Sequence, residues 1–134
     1  MMDIMEIKGI IFDYGGTIDS HGDHWSEVIW RGYQDAGIAI DKEEFRKSYV
    51  FAERELARVR HILPQHNFLD LLRIKMQLEL GDLAARGIIS AAEAEAKAEP
   101  VAIYCYQCAR RSCDEARPVI AALAERYPLM LVSN

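Results

Sequence analysis

With 134 residues, the chain has the length of one ordinary domain, and its 51% hydrophobic content excludes a disordered polypeptide. A net charge of −5 and a pI near 5.4 argue against nucleic acid or an anionic membrane as partner. No apolar run approaches the ~20 residues of a membrane helix, the acidic start through Asp3 and Glu6 has no basic signal-peptide region, and three clustered cysteines do not form a disulfide framework. A cytoplasmic protein with reduced thiols is expected.

The first element is a short apolar strand, Ile10, Ile11 and Phe12, which delivers Asp13 onto a glycine-rich turn. Gly15 and Gly16 permit unusual backbone conformations and close approach to a ligand, and Thr17 closes the turn with a hydroxyl. A carboxylate at a strand's C-terminal edge beside bare backbone suits a nucleophile or metal ligand. A polar connector, residues 19–24, follows. Asp23 is placed to cap a helix carrying Trp25, Val28, Ile29, Gly32, Tyr33 and Ala36 at helical spacing, stopped by Gly37. Asp41 and Glu44 read as a capping box for a second helix with Phe45, Tyr49, Ala52, Leu56 and Val59 on its apolar face. Pro64 breaks the chain, and Asn67 caps a third helix bearing Phe68, Leu72, Met76 and Leu80. Ser90 and Glu93 form another capping box, opening an alanine-rich helix expected to kink at Pro100. A separate last helix is expected from Pro118, with Val119, Ile120, Leu123 and Tyr127 buried and Pro128 as its stop. The chain then enters a second apolar strand from Leu129, tipped by Ser133 and Asn134. Two strands joined by so long a helical crossover predict an α/β fold with a parallel pair and an inserted helical region.

The run Asp13-Tyr14-Gly15-Gly16-Thr17 after an apolar strand, with Leu131-Val132-Ser133 ending a second one, resembles the first two motifs of the haloacid dehalogenase (HAD) superfamily of hydrolases. The resemblance implies an incomplete HAD-like Rossmannoid parallel sheet, mostly α by residue count. Residues 1–19 and 113–134 would form a partial α/β core and 20–112 a helical cap that covers the site and selects substrate. It implies Asp13 as the nucleophile that forms an aspartyl intermediate, and Ser133 as the hydroxyl that binds a phosphoryl oxygen. Tyr14, Gly15, Gly16, Thr17 and Asn134 would contact substrate. Magnesium (Mg2+) would be held by Asp13 and the Gly15 carbonyl, and the substrate would be a small phosphorylated metabolite.

Two departures bear on that reading. The family's phosphatases carry a second acid two residues after the nucleophile, where this chain has Gly15; its dehalogenases and phosphonate-cleaving members also lack one. The downstream lysine and acidic motifs have no counterpart, so a chain truncated before them and inactive alone is expected. A non-catalytic interaction protein on a decayed HAD scaffold is the alternative from another class. Open sheet edges would be covered by a homo-oligomer or by a missing C-terminal portion.

Other groups read more simply. Cys105, Cys108 and Cys113 lack a fourth zinc ligand nearby and suit buried positions. His21 and His24 suit a polar loop, Asp19 a turn or cap, and Trp25, Trp30 and Tyr33 core packing.

Overall fold

A computed structural model of the chain describes residues 6–133. They form two compact units, one of residues 6–24 with 108–133 and one of residues 25–107. The divisions fall at 24/25 and 107/108, where the sequence suggested 19/20 and 112/113. The architecture is mixed α/β, dominated by helix.

The first unit holds β1 (Ile10–Asp13) and β2 (Leu129–Val132), paired in parallel with Ile10 opposite Leu129 and Asp13 opposite Val132. Side chains alternate across such a pair. Ile11 and Met130 share one face and are 68% and 60% exposed. Phe12, Leu129 and Leu131 share the other. They line a groove of about 380 Å³ together with Cys113, Arg117 and Ile120.

The second unit contains α1 (Trp25–Asp35), α2 (Lys42–Arg58), α3 (Phe68–Ala85) and the first half of α4 (Ala91–Ala124). Gly37 and Gly87 follow α1 and α3 with φ of +76° and +77°, the left-handed conformation that glycine adopts most cheaply. Each helix is closed by a paired cap: Ile38 N–H to the Tyr33 carbonyl at 3.0 Å, and Ile88 N–H to the Leu83 carbonyl at 2.9 Å. Asn67 and Asp70 form a reciprocal box at the start of α3, with bonds of 2.8 and 3.1 Å. The Ser90 hydroxyl accepts the Glu93 N–H at 3.0 Å.

Three local expectations are corrected. Asp41 precedes α2 but makes no side-chain cap bond. Its intended partner, Glu44, binds Arg86 and Lys47 instead, because a guanidinium is a stronger partner for a carboxylate than a backbone amide. The separate helix expected from Pro118 is replaced by one helix of 34 residues, which also carries Pro100 in its interior. An internal proline costs ~3 kcal/mol, and burial of Val101, Ala102, Cys105, Ala109 and Ser112 along α4 offsets it. Val119, expected inside, is 58% exposed.

The helical unit's core centres on an aromatic cluster. Phe45 is fully buried, with ring centroids 4.8 Å from Tyr33, 5.3 Å from Trp30 and 6.0 Å from Tyr49. Trp25 packs edge-on against Phe68 at 5.9 Å. Between α2 and α3, Arg86 donates to the Glu44 carbonyl at 3.1 Å, the Ser48 hydroxyl at 2.8 Å and Asp82 at 3.1 Å. Phe45→Ala is expected to destabilise the chain by ~3–5 kcal/mol, the usual cost of emptying a large aromatic site. Urea unfolding followed by far-UV circular dichroism measures it, with Phe45→Leu as the milder control.

Candidate functional site

The site is built by one strand end and the turn that follows. β1 ends on Asp13, and residues 14–18 form a single wide turn. Gly15 (φ −68°, ψ 121°) and Gly16 (φ 80°, ψ −3°) have the dihedrals of the two central residues of a type II β-turn. That turn demands a positive φ at its second central residue, which is why Gly16 stands there. A side chain at 16 would meet only the Asp23 carbonyl at 3.8 Å, an ordinary contact, so the constraint is backbone strain and not crowding. Gly16→Ala is accordingly expected to cost ~1–2 kcal/mol, read as a lowered urea midpoint with an unchanged slope.

Two side-chain hydrogen bonds brace the turn. The Thr17 hydroxyl donates to Asp13 Oδ2 at 3.2 Å and orients the carboxylate. The Gly16 N–H donates to Asp19 Oδ1 at 2.7 Å, and Asp19 itself is 4% exposed. Asp19 is therefore the residue that fixes the turn, as its sequence position suggested, and Gly16 contributes conformation. Asp13, Gly15 and Thr17 are exposed to solvent.

Ser133 follows Val132, the register partner of Asp13, so Asp13 and Ser133 stand at the same carboxyl edge of adjacent parallel strands. Asn134 lies outside the described residues. The Tyr14 hydroxyl pairs with the Cys113 thiol at 3.7 Å. That hydrogen bond, with burial second, pushes the phenol up to about 12, so Tyr14 stays neutral and acts through its ring and hydroxyl.

A second anchor was invisible in the sequence. Ser112, on α4, is 2% exposed. Its hydroxyl donates to the Ile18 carbonyl and accepts the His21 N–H at 2.9 Å. His21 has φ +54°, unusual for a residue with a side chain, and its Nε2 lies 3.0 Å from Glu115. These contacts tie both ends of the 18–21 segment to α4 and hold the motif turn from its far side. The sequence separation of 91 between His21 and Ser112 leaves no local pattern to read.

As metal donors the turn offers one carboxylate, Asp13, and the backbone carbonyl of Gly15. Among the described residues no three His, Cys, Asp or Glu side chains converge as a metal-binding group. None of the three cysteines is in a disulfide, and Cys105 is buried while Cys108 and Cys113 are half-buried. No helix among the described residues is long and apolar enough to cross a membrane. Comparison with known proteins finds no match among family models, curated proteins or solved structures.

Proposed function

We propose that this chain carries the nucleophile-bearing part of a HAD-like hydrolase acting on a small phosphorylated metabolite. The observation that carries the reading is the shared carboxyl edge: Asp13 ends β1, Ser133 follows its register partner on β2, and Thr17 holds the Asp13 carboxylate at 3.2 Å. Ligands in open parallel sheets bind outside the carboxyl ends of the strands.

The chemistry is two displacements at phosphorus. An Asp13 oxygen attacks, the bond to the leaving oxygen breaks, and an aspartyl phosphate forms. Water then attacks that phosphorus, inorganic phosphate leaves, and the carboxylate is regenerated. The Ser133 hydroxyl and backbone N–H groups of the turn donate to phosphoryl oxygens as charge builds. Magnesium usually binds through one or two carboxylates, with water and substrate phosphate completing its shell. Asp13 and the Gly15 carbonyl fit it as such a partial site. An ion held by these two groups would supply positive charge to offset that of the carboxylate and the phosphate.

Gly15 favours a second reading. It leaves no acid two residues after Asp13 to protonate a leaving alkoxide. Halide loss from a haloacid needs no such proton, and neither does carbon–phosphorus cleavage with a stabilised carbanion. A panel of phosphate monoesters, with and without magnesium, and of 2-haloacids without metal separates the classes. Magnesium-dependent phosphate release is expected once the chain is joined to the lysine and second acidic motifs, and none from the chain alone. Metal-independent halide release would replace the phosphatase reading.

The open apolar sheet face motivates a further part of the proposal. With Ile11 and Met130 both exposed, we expect the sheet to be covered in the working protein by a second copy or by further chain.

A further inference from the structure

Within the helical unit, α3 buries a carboxyl group that the proposed chemistry does not use. Glu79 is 0% exposed. Its Oε1 accepts the Tyr33 hydroxyl at 2.9 Å, and among the described residues its Oε2 has no hydrogen-bond partner. An ionised carboxylate in that position would be half-satisfied in a low-dielectric interior, which is costly. The groups that act on this cluster come from all four helices: Tyr33 on α1, Tyr49 and Glu53 on α2, Lys75 and Asp82 on α3, and Cys105 on α4. Asp82 is already engaged by Ser48 and Arg86.

Lys75 is the cation among them. It stands one helical turn before Glu79, on the same face of α3. Its side chain is 13% exposed, it pairs with Glu53 on α2, and it lies 5.1 Å from the Tyr49 ring centroid. Glu53 is 45% exposed, so water screens that pair. An ionised Glu79 would attract the same ammonium through a much lower dielectric.

We propose that this cluster is a proton-operated exchange: with Glu79 neutral, Lys75 bridges α3 to Glu53 on α2, and when Glu79 ionises, Lys75 turns back to it within α3 and the bridge to α2 opens. The exchange is independent of the hydrolase reading, since none of its members belongs to the Asp13 turn.

The direction of its pH dependence follows from linkage. Burial raises the Glu79 carboxyl from 4.5 to about 7, against the pull of Lys75 and Tyr33. The folded chain therefore holds a proton that the unfolded chain has released over that interval. Stability from Glu79 is full below pH 4.5, falls as pH rises to about 7, and is level above. The carboxylates Glu27, Glu44, Glu55 and Glu99 are shifted downward by their cationic partners and act oppositely at lower pH. A difference measurement removes them.

The test is thermal unfolding of the full chain and of Glu79→Gln from pH 5 to 8.5. The wild-type Tm, measured relative to the variant, is expected to fall by on the order of 5–10 °C up to neutrality and then level off. A flat difference would overturn the proposal. If Glu79→Gln does not fold, the ¹³C carboxyl shift of Glu79 in the native chain decides: a midpoint near neutrality supports the exchange, and one at the ordinary glutamate value overturns it. Glu53→Gln tests the second half. It should lower Tm at pH 5.5, where Lys75 depends on Glu53, and leave Tm unchanged at pH 8. Equal effects at both pH values would leave Lys75 fixed and sink the exchange.

Discussion

In a protein that joins this chain to the lysine and second acidic motifs, Asp13→Asn is expected to abolish turnover of phosphate monoesters, by ~10³-fold or more, while leaving the fold intact. The amide retains an oxygen that accepts the Thr17 hydroxyl, so the hydrogen bond seen at 3.2 Å has an equivalent partner and the turn keeps its shape. What is lost is the negative charge and the attacking oxygen. Removing the group that forms the covalent bond costs far more than removing one that positions it. The position is exposed and strand-terminal, so Tm should move little. Mass spectrometry of acid-quenched reactions should find a phosphoryl group on the Asp13 peptide of the wild type and none on the variant. Thr17→Val separates orientation from chemistry. It leaves the carboxylate but removes its donor, and a loss of ~10-fold or less is expected. Unchanged turnover in Asp13→Asn would remove the nucleophile from the mechanism.

The parts of this molecule that the sequence announced are those set by neighbours in the chain. The apolar run ending at Asp13, the two glycines and Thr17 specify a strand and a turn within a few residues of one another. The Asn67 box and the glycine stops at 37 and 87 are equally local, because backbone groups at helix ends take the nearest partner. Asp41 makes no side-chain cap bond, and the other half of the expected box is lost to a non-local partner: Arg86, distant in sequence, claims the Glu44 carboxylate. Pro118 fails to start a new helix, and both it and Pro100 lie inside α4, for the same kind of reason. Their cost is fixed, whereas the burial that offsets it depends on which residues α4 meets. In the site, Asp13 and Asp19 were legible, but Ser112 was one serine in a charged stretch until the fold brought it to Ile18 and His21. Glu79 was hidden differently. A single acid between Leu78 and Leu80 reads as a solvated position, and only the packing of Tyr33 shows that it lies inside.

In the same longer protein, Gly15→Asp is expected to raise turnover of phosphate monoesters with poor leaving groups by ~10-fold or more, a change that adds function. Gly15 differs from its neighbour in why it is glycine. Gly16 sits at φ 80° and is required by the backbone, but Gly15 sits at φ −68° and ψ 121°, a region open to every L-residue. A Cβ built on Gly15 meets nothing within 4 Å. Neither strain nor crowding excludes a side chain, so the missing acid reflects the reaction and not the fold. A carboxyl group two residues after Asp13 would stand beside the leaving oxygen under the proposed chemistry, and a positioned proton donor contributes ~10²–10⁴-fold when well placed. The gain should be largest for alkyl phosphates and near zero for nitrophenyl phosphate, whose leaving group departs without a proton. Stability should hold or rise slightly, because a residue with fewer unfolded conformations replaces glycine. If the variant gains nothing on any alkyl phosphate while the wild type releases halide from haloacids, the absent acid belongs to a leaving group that never needed one, and the substrate class moves from phosphate esters to carbon–halogen bonds.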